Sequence, residues 1–391
     1  MPQPSSKQVI AINARWLLAG RLEGTGWYTW SIVSRLVEDD RFEWHLIYDR
    51  TPDATMIPEG AVVHVVRPPA RHPWLWTFWN EWAVPRALKR MGADVYWSVD
   101  GLLPSRRAMR RVGMQHLSLV NTIHDLNFLH HPEWMPALAG RYYRRVIARG
   151  AREADQLFTV SNTTKQDLIL SYQIDGDRIG ITYNAPQRTF DPLSEDAILA
   201  VRRKLHPDGR PYLLFVGALS ARKNVHFLID TWNTWTARNG SNGVELPFEL
   251  RIVGDALHAD DDLQRKLKQS QYVVAHGRAE GSELNDLYGA AEAFVFPSLF
   301  EGFGIPLVEA MASGCPVISS NTSCMPEIVG DAGVLLDPND GDAWMAAWDR
   351  MAQDRDWGED FRSKGLDRAK AFNWNTSAQV MLDYFRRISH G

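Results

Sequence analysis

The chain has 391 residues, 45% hydrophobic and 23% charged, with a formal net charge of −4. That length exceeds a usual single core, the composition is ordinary for a globular protein, and near-neutrality argues against bulk nucleic-acid binding. Two cysteines, Cys315 and Cys324, form neither a disulfide framework nor a zinc spacing with histidine, which points to a reducing cytosol.

The N-terminal MPQPSSKQVIAINARW lacks a cationic segment followed by a long apolar one. No apolar run reaches the ~20 residues that span a bilayer, so the expectation is a soluble or peripheral cytoplasmic protein. Charge is unevenly shared: residues 1–190 hold 23 Lys+Arg against 18 Asp+Glu, a net of +5, and the remainder 20 against 29, a net of −9.

In chain order, strand-like runs alternate with helix-like ones. Val9 to Asn13 precedes a helical Trp27 to Val37; then come Trp44 to Tyr48, Val62 to Val66, Val95 to Ser98, Leu117 to Ile123, and Leu157 to Val160 with a helix opened by Ser161. A Pro/Asp-rich passage at Thr189 to Ser194 interrupts the pattern. It restarts with Tyr212 to Val216, Phe248 to Val253, Tyr272 to Ala275, Ala293 to Phe296 and Pro316 to Ser319, and an amphipathic Thr376 to Ile388 closes it. Such alternation predicts parallel sheets with helices on both faces, wound twice over. We expect an α/β chain of two doubly wound domains, 1–190 and 191–370, with 371–391 as a closing helix, the domains facing each other across a cleft where ligands sit beyond the strand carboxyl ends.

Two basic clusters mark the first half: Arg106, Arg107, Arg110 and Arg111, and Arg141, Arg144, Arg145, Arg149 and Arg152. They read equally as a solvated helix face or as a surface for anionic headgroups. Trp74, Trp76, Trp79 and Trp82 fit an interfacial anchor or, more commonly, core packing.

The most informative stretch is Ala293 to Ser320, AFVFPSLFEGFGIPLVEAMASGCPVISS. A buried strand leads into a loop punctuated by Pro297, Gly302 and Gly304, and Pro306 suits a first helical position, so a helix should start near Ile305. Its uncapped amides and positive dipole end would draw a diphosphate, with Gly302 and Gly304 letting the backbone approach. Glu309, expected in the first turn, can accept from ribose hydroxyls, and Glu301 from hydroxyls of the group that the diphosphate carries. Gly217 to Asn224, GALSARKN, repeats the strand, glycine and helix-start order and places Arg222 and Lys223 where cations meet a diphosphate. His124, in NTIHDL, ends an apolar strand, and Gly24-Thr25-Gly26 forms the first glycine loop.

EGFGIPLVE followed by AMASGCPVI resembles the E-x7-E element of retaining family 4 glycosyltransferases, and the likeness runs through essentially the whole chain. The resemblance implies the GT-B fold, with Rossmann-like domains: an acceptor-binding first and a nucleotide-sugar-binding second. It implies that His124 contacts the transferred sugar, Arg222 and Lys223 hold the leaving diphosphate, and Glu301 holds the sugar. The donor would further meet Gly26, Gly217, Gly254, Gly277, Arg278, Gly302, Phe303, Gly304, Ile305, Leu307 and Glu309. Two departures stand out: Ala218 replaces the arginine common after the glycine, and Trp27 replaces the usual arginine of the first loop.

TIHDL, VSNxT and GxLxxRKN resemble bacterial mannosyltransferases of surface polysaccharide synthesis, which implies GDP-mannose as donor and a lipid-linked or lipopolysaccharide glycan as acceptor. UDP-sugar dependence and a non-catalytic nucleotide-sugar-binding protein are the alternatives; a dinucleotide oxidoreductase lacks its G-x-G-x-x-G after either first strand. No metal or cofactor is expected, since Asp175-Gly-Asp177 and Asp340-Gly-Asp342 close no apolar strand and read as turns.

Overall fold

A computed structural model of the chain describes residues 7–389 except 21, 23, 71–72, 187–189, 241–245, 256–259, 280 and 355, with the backbone alone at 73 and 74. The Trp74 side chain and Thr189 thus lie outside the described residues. The chain divides into two compact units, one of Met1–Asn184 with Trp374–Gly391 and one of Ala185–Asn373. The division falls after Asn184, not at 190, and the closing helix Trp374–Ile388 is part of the first unit.

In the first unit β1 (Gln8–Asn13), β2 (Phe42–Tyr48), β3 (Val62–Val65), β4 (Val95–Ser98), β5 (Ser118–Ile123), β6 (Gln156–Thr159) and β7 (Ile179–Ile181) form one parallel sheet ordered β3-β2-β1-β4-β5-β6-β7. The second unit holds β8 (Tyr212–Val216), β9 (Glu249–Val253), β10 (Val273–Gly277), β11 (Ala293–Phe296), β12 (Val317–Ser320) and β13 (Gly333–Leu336), ordered β10-β9-β8-β11-β12-β13 and again parallel. Strands covered by helices on both faces need apolar side chains at every position, not alternate ones, and all four residues of Ala293–Phe296 are buried. In each sheet the strand order reverses once, at β1/β4 and at β8/β11. Loops leaving the carboxyl ends of two such strands diverge to opposite faces and leave a crevice between them.

The closing helix packs through aromatic edges on the helix Gly24–Leu36 and on β2: Trp374 lies 6.2 Å from Tyr28 and Phe385 lies 5.9 Å from Trp44, ring centre to ring centre. The Ser377 hydroxyl donates to the Tyr183 carbonyl at 2.6 Å. The second core is built around Trp232, Trp235, Trp344 and Trp348, all fully buried.

Three elements depart from the sequence reading, one of them the four-residue edge strand β13 (Gly333–Leu336), for which the reading had no strand. β7 was not anticipated, being only three residues with a glycine at its centre; a Cβ on Gly180 would stand 2.7 Å from the Phe158 ring, so the strand packs too closely for a side chain. Gly24-Thr25-Gly26 is not a loop but the opening of the helix Gly24–Leu36, where a Cβ on Gly26 would come within 2.9 Å of the Trp16 carbonyl oxygen.

Candidate active site

The second unit's crevice is where the motif residues converge. β8 ends in Val216, and Gly217 passes so close beneath the following turn that a Cβ there would meet Lys223 Cε at 3.2 Å. The short turn Ala221–Lys223 then closes on Asn224 in the left-handed region, which aims Arg222 and Lys223 toward the loop after β11. The Leu299 amide donates to the Arg222 carbonyl at 2.9 Å, and the Arg222 guanidinium donates to the Phe300 carbonyl at 2.9 Å, so the two loops are stitched together.

At their junction lies Glu301. One carboxylate oxygen is 2.7 Å from Lys223 Nζ and the other pairs with Arg222 Nη1. Lys223 also sits 4.4 Å from the centre of the Phe296 ring. Burial alone would push the Glu301 carboxyl up, but the Lys223 and Arg222 charges outweigh it and hold the group down at about 2. Burial pushes the Lys223 ammonium down, and the Glu301 charge opposes that shift. The Ser323 hydroxyl donates to the Glu301 carbonyl at 2.7 Å and accepts from its amide at 3.2 Å, fixing the backbone of the loop.

Gly304 takes φ 83°, a left-handed conformation open to glycine, and starts the helix Ile305–Ala312 with no side chain capping its first amides. Leu307 is buried under the turn, and Phe303 packs edge-on to Phe372 at 5.5 Å. Glu309 is the fifth residue of this helix and so lies in its second turn, not the first, because Gly304 is the cap and the helix counts from Ile305. Its carboxylate accepts from the Tyr288 hydroxyl at 3.3 Å; burial pushes it up to about 7, against the pull of Tyr288 and Lys223.

The neighbouring strand ends complete the rim. The Gly217 amide donates to Val253 and the Gly254 amide to Gly277, at 2.9 and 2.8 Å. A Cβ on Gly254 would fall 2.0 Å from the Gly217 carbonyl oxygen, so glycine is required there for the two strands to end side by side. Arg278 follows β10 and is exposed. The structure therefore gathers Gly217, Arg222, Lys223, Gly254, Gly277, Glu301, Gly304, Ile305 and Glu309 at one sheet edge.

His124 and Gly26 belong to the first unit. His124 follows β5, where its Nε2 hydrogen donates to the Val99 carbonyl at 2.9 Å and its ring meets the edge of Tyr28 at 4.9 Å. Burial pushes its pKa down. The ring is thus neutral, with its proton on Nε2 and a lone pair on Nδ1. Asp125 accepts from the Asn127 amide at 3.0 Å, opening the next short helix.

Sequence reasoning missed Tyr288, Ser323 and Phe296, which hold the two glutamates and the lysine. Asp175 accepts from the Asp177 amide at 3.0 Å as cap of the turn Gly176–Arg178, whereas Asp340 accepts from the Ala343 amide at 3.0 Å as cap of the helix Gly341–Gln353, so Asp340-Gly-Asp342 opens a helix and is not a turn. Among the described residues no group of three or more His, Cys, Asp or Glu is placed to hold a metal ion.

A family model described as Glycosyltransferase Family 4 matches residues 22–185, and one described as Glycosyl transferases group 1 matches residues 210–354. The chain is 32% identical over 269 residues to the O-antigen chain mannosyltransferase B of Escherichia coli, covering 68% of this chain and 69% of that one. It belongs to the family 4 glycosyltransferases. An O-antigen chain mannosyltransferase of Salmonella typhimurium is 25% identical to this glycosyltransferase over 285 residues, covering 72% and 71% of the two chains. The fold matches an Anabaena protein solved in complex with UDP-glucose at a TM-score of 0.72, with 18% identity over 97% of this enzyme and 99% of that chain. Two parallel-sheet α/β domains in one chain are thus the GT-B fold of a glycosyltransferase.

Proposed function

We propose that the enzyme transfers mannose from GDP-mannose, with retention of anomeric configuration, to a lipid-linked or polysaccharide glycan at the cytoplasmic face of a membrane. One observation carries the donor half of this reading: Arg222 and Lys223 converge on Glu301, in the loop that leads into the uncapped start of the helix Ile305–Ala312. Two cations and a helix N-terminus suit a diphosphate, and they offset the charge that grows on it as the glycosidic bond breaks. Glu309 then takes the ribose hydroxyls, Glu301 the sugar hydroxyls, and Gly254, Gly277 and Arg278 border the base. The second unit is in this reading the donor domain and the first the acceptor domain, with Nδ1 of His124 accepting from a hydroxyl of the transferred sugar.

Mannose is supported by the names of the two relatives, both O-antigen chain mannosyltransferases. A UDP-sugar is the second reading, favoured by the fold match to the protein solved with UDP-glucose. A thermal-shift series with GDP-mannose, GDP, UDP-glucose and UDP separates them: ligand at one hundred times its dissociation constant stabilises by about 2.7 kcal/mol. The reading expects GDP and GDP-mannose to shift the midpoint and the uridine compounds not to; the reverse order refutes it.

A further inference from the structure

The first unit has its own strand-order reversal, at β1/β4, and the residues that follow those two strands take no part in the donor chemistry of the second unit. β1 ends at Asn13 and leads to Arg15 and Trp16; β4 ends at Ser98 and leads to Asp100. Arg15 and Asp100 form an ion pair at 2.5 Å with both side chains almost wholly buried. One oxygen of Asp100 accepts from Arg15 Nε at 2.8 Å and from the Trp16 indole at 2.7 Å; the other accepts from the Ser98 hydroxyl at 3.0 Å and the Leu102 amide at 3.2 Å. Burial alone would push this carboxyl up, but the Arg15 charge and these donors hold it down. Asp100 is therefore neither a spare base nor an acceptor for a ligand: its lone pairs are spent on fixing Arg15 and Trp16.

Aromatic rings gather around this pair. The Arg15 guanidinium lies 5.2 Å from the centre of the Trp16 ring and 5.8 Å from those of Trp76 and Trp79. Trp79 is buried and donates to the Val66 carbonyl at 2.8 Å, so core packing accounts for it. Trp16 is 38% exposed although its indole nitrogen is tied to Asp100, and Trp76 is half-buried with its nitrogen tied to the Ala70 carbonyl at 2.6 Å. Tyr142 and Tyr143, from the helix Ala137–Glu153, lie 6.1 and 6.0 Å from the Trp76 ring. With Nε and Nη2 turned to Asp100, Nη1 of Arg15 is the corner of the guanidinium left over, and it has no protein partner. His124 adjoins the group, since its ring donates to the carbonyl of Val99, the residue before Asp100.

We propose that Trp16, Trp76 and Tyr142, set around the Arg15–Asp100 pair, form the acceptor subsite, and that it takes a neutral pyranose ring rather than a phosphate. A pyranose buries its C–H surface on aromatic rings and directs its hydroxyls to a few fixed polar groups; rings whose polar ends are already pinned lose little entropy when covered. Charge decides between a sugar and an anion. The charged groups that act most on Tyr142 are Arg15, Arg149 and Asp100; Arg15 is cancelled by Asp100, and Arg149 is paired with Glu81 at 2.9 Å. A phosphate here would lose its hydration with no free counter-charge to replace it, whereas a hydroxyl oxygen satisfies Nη1 and adds no charge. The subsite rests on the reading of the first unit as the acceptor domain and deepens it: what that unit grips is the terminal sugar of the acceptor, not the group that carries it.

The test is saturation-transfer NMR on the full chain without donor, with the methyl α-glycosides of mannose, glucose, galactose and N-acetylglucosamine and with mannose 6-phosphate. At least one neutral glycoside should receive saturation from the aromatic protons of the protein. Trp16→Leu should weaken that glycoside at least about fivefold, and Trp16→Phe, which keeps a ring, should recover about half of the loss. In transfer, Trp16→Leu should raise the acceptor KM by the same factor and move kcat less than about twofold. Mannose 6-phosphate, wherever it binds, should not respond to Trp16→Leu. No saturation of any of the four glycosides overturns the proposal, as does saturation that Trp16→Leu leaves unchanged; a mannose 6-phosphate signal that Trp16→Leu weakens would make this a phosphate site and overturns it too. Titration with GDP and UDP separates this from the donor reading, because Trp16 lies in the other unit from Lys223 and Glu309. Nucleotide binding without a glycoside response refutes the subsite alone, and a Trp16-dependent glycoside response in a chain that binds neither nucleotide refutes the donor reading alone.

Discussion

Lys223 Nζ lies 2.7 Å from Glu301 Oε1, and both side chains are almost wholly buried. The lysine comes from the loop after β8 and the glutamate from the loop after β11, the two strands at which the sheet order reverses. With Arg222 on its second oxygen, Glu301 neutralises part of the charge that a diphosphate would otherwise meet. A site built this way keeps its cations in place when empty and has a net positive charge left for the ligand.

Removing that carboxylate should therefore cost stability and change ligand response together. Glu301→Gln leaves Lys223 buried beside Arg222 with no counter-charge, a loss of about 3–5 kcal/mol. A nucleoside diphosphate supplies the missing negative charge, so it should raise the melting temperature of Glu301→Gln by more than it raises that of the wild type, while transfer is lost. Equal increments would mean that the diphosphate does not reach these cations.

Glu309 offers a pH signature. Its folded pKa is raised from 4.5 to about 7, so the folded state holds its proton more tightly than the unfolded chain does. The stability this contributes is fully present below about 4.5 and is lost as pH rises through about 7. Glu309→Gln keeps a neutral group beside Tyr288 at every pH, so relative to wild type the variant should gain up to about 3 kcal/mol between pH 5 and pH 8.5. The same variant should bind donor more weakly at pH 8.5, where in the proposed reading the wild-type carboxylate would make charged hydrogen bonds of about 1.5–3 kcal/mol each to the ribose. Thermal midpoints at the two pH values, with and without donor, check both halves; a stability difference that does not move with pH would sink the assignment.

His124→Ala separates the sugar from the phosphates. The neutral imidazole, its proton committed to the Val99 carbonyl, offers Nδ1 as an acceptor and not a positive charge. The variant should lose about tenfold or more in kcat/KM and keep its nucleoside diphosphate affinity within about twofold. Calorimetric titration with the diphosphate alone reads the second quantity, and its collapse would make His124 a structural residue.

The sequence displays part of this architecture and conceals the rest. The strands were legible because parallel strands covered on both faces are unbroken apolar runs, as in Ala293–Phe296, and the glycine turn before Ile305 was legible because its signals lie within ten residues of one another. The pairing of Glu301 with Arg222 and Lys223 was not, since each motif reads as ligand-facing when taken alone and only the fold brings them together. Tyr288 and Ser323 were invisible for the same reason: nothing around a tyrosine in LYG or a serine in NTSC marks it as the partner of a distant glutamate. The second turn position of Glu309 needed the cap itself, Gly304, to set the helix count.

The leaving-group arrangement predicts metal independence. In the proposed reading Arg222, Lys223 and the first amides of the helix Ile305–Ala312 would supply the positive charge that a divalent cation supplies elsewhere. Transfer should survive excess EDTA in wild type, while Lys223→Ala should lose most activity whether or not metal is added. Loss on chelation with recovery on adding Mn2+ or Mg2+ would show that the charge is supplied another way.

Stereochemistry follows from which groups are already engaged. Inversion needs a base on the sugar face opposite the diphosphate to take the proton of the acceptor hydroxyl. Glu301 is held ionised between two cations, Glu309 is held by Tyr288 in the second turn of its helix, and His124 is assigned to a sugar hydroxyl through Nδ1, so each of the three is committed elsewhere. The route we propose is attack from the same face, in which the departing phosphate oxygen would take the acceptor proton while Arg222, Lys223 and the helix amides would hold the charge that develops. An alpha-linked donor should then give an alpha-linked product. Proton NMR of the isolated disaccharide unit reads the anomeric configuration directly, and a beta linkage from an alpha donor would overturn both this route and the assignment of the two glutamates.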